Sequence, residues 1–227
     1  MNRKKVFTFI IFILLLFVHL SAELPEGFVY LNEIIPEAQL EMRYCGKDNF
    51  LGKKVDGYNQ PKAILSQEAA RALKKVAGEL EKFGFGIKIF DAYRPQRAVD
   101  NFVEWAKNLD DTTMKYKYYP DVEKKNLFEE GYIAGQSSHS RGSTVDLTIM
   151  IMEGDSTYDL DMGSGFDYFS PKSWPTSRKV TPQQRANRLL LQQIMTKYGF
   201  VPYSREWWHF TYENEPYPNT YFDFPVE

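Results

Sequence analysis

Histidine and cysteine are scarce in this 227-residue chain, with three of the first and one of the second. A single thiol, Cys45, permits no intramolecular disulfide, so the fold must be held by its core and by any metal it binds. No catalytic motif surrounds Cys45, which reads as a half-buried packing residue. No Gly-Xaa-Ser-Xaa-Gly elbow is present, which argues against a serine hydrolase of that type, and the helical zinc motif His-Glu-Xaa-Xaa-His is missing too. Positive charge is not in surplus: 28 basic residues stand against 30 acidic ones, and nothing in that balance favours nucleic acid. Internal repeats and low-complexity segments are also absent.

What is present begins with a leader. Asn2-Arg3-Lys4-Lys5 precedes an unbroken apolar run from Val6 to Leu20, then Ser21-Ala22 and the polar Glu23. This pattern predicts a signal peptide over residues 1–22, cleaved after Ala22, and a periplasmic or secreted protein. A transmembrane anchor is the competing reading, but the run is shorter than the roughly 20 residues a bilayer needs and ends in small residues. The leader holds three basic residues and no acidic one, so 25 basic residues remain against 30 acidic ones over residues 23–227. That span is long enough for one domain with a substantial core.

Ser66 is an N-cap candidate for a helix whose Ala69, Leu73, Val76, Leu80 and Phe83 recur at steps of four and three before Gly84. Residues 86–93 read as a strand, and Pro95 then opens a second helix with Ala98, Phe102, Trp105 and Leu109 on one face. Residues 143–152 alternate, placing Val145, Leu147, Ile149 and Ile151 on a packed face and Asp146, Thr148 and Met150 on an exposed one. The segment from Glu153 to Val180 is long and irregular, as functional loops often are, and its aromatic residues argue against disorder. Thr181-Pro182-Gln183-Gln184 is a capping box that starts a helix running towards Gly199, and a last strand carries Trp207 to Thr211. Strands and helices in blocks predict an α+β fold: one compact domain, a mainly antiparallel central sheet and flanking helices.

Once the leader is set aside, only His139 and His209 remain among the histidines. His139 lies in the turn-prone Ser137-Ser138-His139-Ser140-Arg141-Gly142, with Asp146 seven residues on; His209 follows Glu206 by three. Hydrolytic zinc takes three nitrogen or oxygen ligands and keeps a fourth position open, and two histidines with one carboxylate supply such a set. Glu206 is the nearest base for the proton of the attacking water. Strict alternation would set Glu206 and His209 on opposite faces of one strand, so Glu206 is expected at or before the strand's start. Arg94, in Asp91-Ala92-Tyr93-Arg94-Pro95, is a candidate donor to a developing oxyanion; the alternative is an ion pair with Asp91 that merely fixes the turn.

The segments SSHSRGSTVD at 137–146 and EWWH at 206–209 resemble the two metal motifs of the VanX-type D-alanyl-D-alanine dipeptidases. The likeness extends to DNFLGKKVDGY at 48–58, DAYRP at 91–95, MGSGFD at 162–167 and EPYPNTYFDFPVE at 215–227. The metal motifs alone indicate the wider group of zinc D,D-peptidases, which includes D,D-carboxypeptidases and the zinc fold of hedgehog signalling domains; the flanking segments narrow it to the dipeptidases. The resemblance implies one Zn2+ per chain on the sheet, held by His139, Asp146 and His209, with Glu206 as base and Arg94 stabilising the intermediate. It further implies that Asp167 receives the dipeptide's ammonium, that Ser137 and Tyr44 line the pocket, and that the cavity is small and closed. The expected partner is the small molecule D-Ala-D-Ala, with no nucleic acid and no stable membrane anchor after cleavage.

The leader departs from the best-known members, which are cytoplasmic, and suggests a substrate pool released by wall turnover. Two other functions compete. A D,D-carboxypeptidase or endopeptidase trimming peptidoglycan would need an open groove, and a zinc-stabilised binding module would leave Glu206 and Arg94 without roles.

Overall fold

The computed structural model describes residues 24–154 and 156–227; the expected leader, residues 1–22, lies outside them. In chain order the elements are β1 (Phe28–Tyr30), α1 (Leu31–Ile34), β2 (Gln39–Leu40), β3 (Ile64–Ser66), α2 (Gln67–Glu81), β4 (Phe85–Asp91) and α3 (Gln96–Lys107). They continue with α4 (Lys115–Tyr118), β5 (Thr144–Glu153), β6 (Ser156–Asp159), α5 (Pro182–Lys197), β7 (Phe200–Pro202) and β8 (His209–Tyr212). No helix among the described residues is long and apolar enough to cross a membrane.

The long helices start where their caps predict. The Ser66 hydroxyl accepts from the Ala69 amide at the head of α2, and Thr181 and Gln184 complete a reciprocal capping box on α5. Ala69, Leu73, Val76 and Leu80 bury one stripe of α2, but the helix stops at Glu81, so Phe83 leaves that stripe and is 72% exposed. Likewise α3 ends at Lys107 and Leu109 falls outside, exposed.

Strands run β2-β4-β5-β8-β7 across a mixed sheet, with β6 on the far end of β5; β1 and β3 form a separate antiparallel pair. The expectation of a mainly antiparallel sheet is thus corrected. β2 lies parallel to β4 because the chain between them crosses over through β3 and α2, which returns it in its original direction. The central strand, β5, has both faces buried from Thr144 to Met150. Asp146 therefore does not lie on an exposed face: Arg94, His139 and His209 close over it, leaving it 2% exposed.

Register decides what meets across the sheet. Asp146 is the cross-strand partner of Asp91 on β4, beside a β-bulge, and of His209 on β8, so three strands present one polar row. The C-terminal segment ties the adjoining loops together: the Phe222 amide donates to the Ser140 carbonyl, and the Gln96 amide donates to the Phe222 carbonyl. Cys45 lies off this row; its thiol donates to the Gln60 carbonyl, and burial pushes its pKa up to about 11. It is a protonated packing residue.

Gly142 ends the turn that carries His139, with φ of +83°, and a Cβ there would overlap the Phe28 ring. Gly142→Ala is expected to lower the unfolding free energy by about 2 kcal/mol or more, because strain and overlap add. Chemical denaturation measures this; a loss below about 0.5 kcal/mol would mean that turn and ring adapt freely.

Candidate metal centre

Ser137 through Gly142 form a tight 3-10 turn over Ser138–Arg141, in which the Ser137 hydroxyl accepts from the His139 amide. This turn delivers His139 to the polar row at 1% exposure. His139 Nδ1 lies 2.6 Å from the Ala92 carbonyl oxygen, which can only accept, so Nδ1 carries the proton and Nε2 keeps its lone pair. That Nε2 lies 3.2 Å from Asp146 Oδ2 and 3.3 Å from His209 Nδ1. His209 Nδ1 is in turn 3.1 Å from Asp146 Oδ1.

These atoms fit a metal ion. Donors held at zinc-ligand lengths in tetrahedral array sit about 3.3 Å from one another, the spacing found among these three residues. Asp146 Oδ1 is buried yet makes no hydrogen bond, despite its approach to His209. An orphaned carboxylate oxygen turned towards an imidazole nitrogen, with its twin oxygen against the second imidazole, is costly unless a cation fills the space between them. Burial opposes the charged form of Asp146, but the two imidazoles outweigh it and hold the carboxyl well below the usual range. Burial keeps the His139 pKa low, whereas at His209 the Asp146 carboxylate overcomes burial and raises it.

Around this centre lies a cavity of about 440 Å3, lined by all eight residues singled out in the sequence: Tyr44, Arg94, Ser137, His139, Asp146, Asp167, Glu206 and His209. Its size is at the lower end for a small-molecule site. Its lining includes the exposed Ala134, Gln136 and Val201, so the cavity is reached from solvent. Glu206 lies in the turns before β8, clear of strand alternation, with Oε2 3.6 Å from His209 Nδ1. Burial pushes its carboxyl up to about 7, with Asp146 adding and His209 opposing.

Arg94 reaches the same space from the turn after β4. Its Nε and one terminal nitrogen both lie 2.9 Å from Asp91 Oδ2, and that terminal nitrogen is 3.7 Å from Asp146. The guanidinium also lies over the Tyr44 and Phe102 rings, at 5.2 and 5.1 Å. The ion pair with Asp91 therefore exists, and it aims the cation into the cavity. At the other wall Asp167, 5% exposed, accepts from the Tyr44 hydroxyl at 2.8 Å and has no basic side chain within 4 Å among the described residues. Burial, reinforced by Asp146, pushes its carboxyl well above the usual range.

Two contributors, Ser138 and Tyr58, escape a reading of the sequence, and a third, Asp91, has a larger part than the pairing with Arg94 expected of it. Asp91 is fully buried and accepts from Tyr58 at 2.6 Å as well as from Arg94, which holds it beside His139. Ser138 Oγ lies 3.3 Å from His209 Nε2 and supports the second imidazole. Tyr58 stands 33 residues from Asp91, and no local pattern links them.

The sequence profile of the M15 peptidases, described as D-ala-D-ala dipeptidase, matches residues 25–227. A D-alanyl-D-alanine dipeptidase of Enterococcus faecalis is 40% identical over 203 residues, covering 89% of this chain and 100% of that protein. Proteins of the same name from Enterococcus faecium and Streptomyces coelicolor are 39% and 40% identical over 201 and 200 residues, each covering 88% of this chain and 98% of its own. With a profile match from end to end of the described domain and relatives aligned over nearly their full length, the chain belongs to the M15 peptidase family.

Proposed function

We propose that this chain hydrolyses the free dipeptide D-Ala-D-Ala to two D-alanines, with one zinc ion per chain held by His139, Asp146 and His209. The observation that carries the substrate is Asp167, a buried carboxyl with a single tyrosine partner and no cation. A carboxyl so placed is raised in pKa and unstable as an anion until a positive group arrives, and the ammonium of a free dipeptide is such a group. The dipeptidases of the three relatives carry that substrate in their names.

Zinc bound by these three side chains supplies Lewis acidity, which lowers the pKa of water and polarises a carbonyl. The chain's own residues do the rest. Glu206 takes the proton of the attacking water and passes it to the departing nitrogen, and the remaining hydroxyl proton follows to the amine, so that amide and water become carboxylate and ammonium. Arg94, braced by Asp91, donates to the carbonyl oxygen as it gains negative charge. Tyr44 orients Asp167 through its hydroxyl, and Ser137 lines the wall beside His139. Residues 1–22 direct export, the working enzyme is residues 23–227 in the periplasm or outside the cell without a membrane anchor, and the substrate is dipeptide released from wall turnover.

The exposed residues in the cavity lining favour a second reading, a D,D-carboxypeptidase acting on longer peptides. In such a substrate the corresponding nitrogen is an uncharged amide, which would leave Asp167 without its cation.

His139→Ala, Asp146→Ala and His209→Ala are each expected to fail to retain zinc after dialysis, because three ligands leave little redundancy. Glu206→Gln should keep stoichiometric zinc and lose turnover by about 100-fold or more. Metal analysis beside initial rates reads both; full activity in all three ligand variants, or near-normal turnover in Glu206→Gln, contradicts the assignment.

Substrate choice is tested with D-Ala-D-Ala and N-acetyl-D-Ala-D-Ala at identical zinc and pH. The free dipeptide should be preferred by about 100-fold or more in kcat/KM, since acetylation removes the charge and each tenfold is about 1.4 kcal/mol. Equal rates on the two would favour the carboxypeptidase.

A further inference from the structure

Asp167 is the only non-glycine residue with positive φ among those described, at 57°, and it sits in the irregular stretch between β6 and α5. Apart from one 3-10 turn at Pro171–Ser173 this stretch has no regular backbone ladder, so its shape depends on contacts from elsewhere. The Phe169 amide donates to the Tyr118 carbonyl and the Trp207 amide to the Ser173 carbonyl. Among the described residues Arg188, on α5, is the one side chain from outside the stretch that reaches both arms around Asp167 by hydrogen bonds. It is 2% exposed and has no carboxylate within salt-bridge distance among the described residues, yet burial lowers its pKa only to about 10, so it remains a cation near neutrality.

All of its hydrogen bonds go to that one stretch. Nε donates to the Met162 carbonyl at 2.7 Å, one terminal nitrogen donates to the Lys172 and Trp174 carbonyls at 2.9 Å each, and the other donates to the Ser164 hydroxyl at 3.2 Å. Met162 and Lys172 each stand five residues from Asp167, one before it and one after. The guanidinium thus ties the two arms of a loop at its base, with Asp167 at the tip. Ser164 also meets Ser173 across the loop and accepts from the Trp207 indole, next to Glu206. A planar fork with five donors spans both arms, whereas a lysine ammonium offers three donors from one point.

We propose that Arg188 is a positioning residue: by clamping the base of the 162–174 loop it holds the Asp167 carboxyl where the substrate's ammonium binds, and so sets the preference for a free amino terminus. This rests on the reading of Asp167 as the ammonium acceptor. A buried guanidinium whose donors are taken up by three carbonyls and a hydroxyl fixes the segments that carry those acceptors relative to one another. Misplacing a binding group by about an ångström costs a large share of its effect.

The test compares the zinc-loaded native protein with Arg188→Lys, Ser164→Ala and Asp167→Asn on D-Ala-D-Ala and its N-acetyl derivative. Arg188→Lys should keep its zinc and raise KM for the free dipeptide by about tenfold, with kcat within about threefold and the rate on the acetylated substrate unchanged. The preference for the free dipeptide should fall accordingly. Ser164→Ala, which removes one of the four acceptors, should shift the preference in the same direction by about two- to threefold; it decides the matter if Arg188→Lys does not fold. A merely structural role would lower the melting temperature or slow both substrates together, leaving the preference intact, and that result overturns the proposal. Asp167→Asn separates the two levels. If it collapses the preference while the folded clamp variants do not, the clamp fails and the ammonium reading stands; if Asp167→Asn leaves the preference unchanged, the ammonium reading fails and the clamp proposal with it.

Discussion

Negative charge buried without enough positive charge to balance it is the constraint on which this structure turns. Asp91, Asp146, Asp167 and Glu206 crowd one region of low solvent access, where Arg94 is the permanent cation. Four carboxylates facing one guanidinium and two imidazoles make an unstable arrangement, and burial, with the Asp146 charge adding to it, raises the pKa values of Asp167 and Glu206. A divalent ion between Asp146 and the imidazoles, together with an ammonium at Asp167, would bring the formal charge of the four carboxylates and Arg94 to zero. The pocket is thus organised to be completed by what it binds.

Rigid and irregular parts divide the labour. The sheet register fixes Asp91, Asp146 and His209 to one another through backbone hydrogen bonds, which is the most dependable way to hold ligand spacing. The turn bearing His139, the turns bearing Glu206 and the loop bearing Asp167 are then pinned onto that row. Ala92 fixes the His139 ring, the C-terminal segment closes over the Ser140 turn, and α5 clamps the Asp167 loop through Arg188. Of the proposed metal ligands Asp146 and His209 sit on strands and His139 on a turn, whereas Arg94, Asp167 and Glu206, proposed to face the substrate, all lie outside regular strands and helices.

Much of this was legible in the sequence, and the reasons are local. Caps at Ser66 and Thr181, the alternation along β5 and the glycine after α2 are short-range signals, and the elements start where those signals predict. His139 and His209 could be singled out because histidine is scarce, whereas Asp146 and Glu206, two of 30 acidic residues, stood out only by their spacing from those histidines and by the resemblance of the two motifs. What stayed hidden depends on contacts between distant segments. The parallel β2–β4 pairing, the burial of Asp146 on a face that alternation alone marks as open, the Tyr58–Asp91 bond and the Arg188 clamp all follow from how elements meet. Phe83 and Leu109 show the opposite limit, since a periodic pattern continues in the sequence past the point where each helix ends.

The claim that His139, Asp146 and His209 form a catalytic metal site is tested most directly by titrating zinc into chelator-stripped protein while following D-alanine release from D-Ala-D-Ala. Activity should be absent at the start, rise in proportion to added zinc and level off at one equivalent per chain. Full turnover in protein shown to be metal-free, or a plateau reached only at two equivalents, would contradict the account.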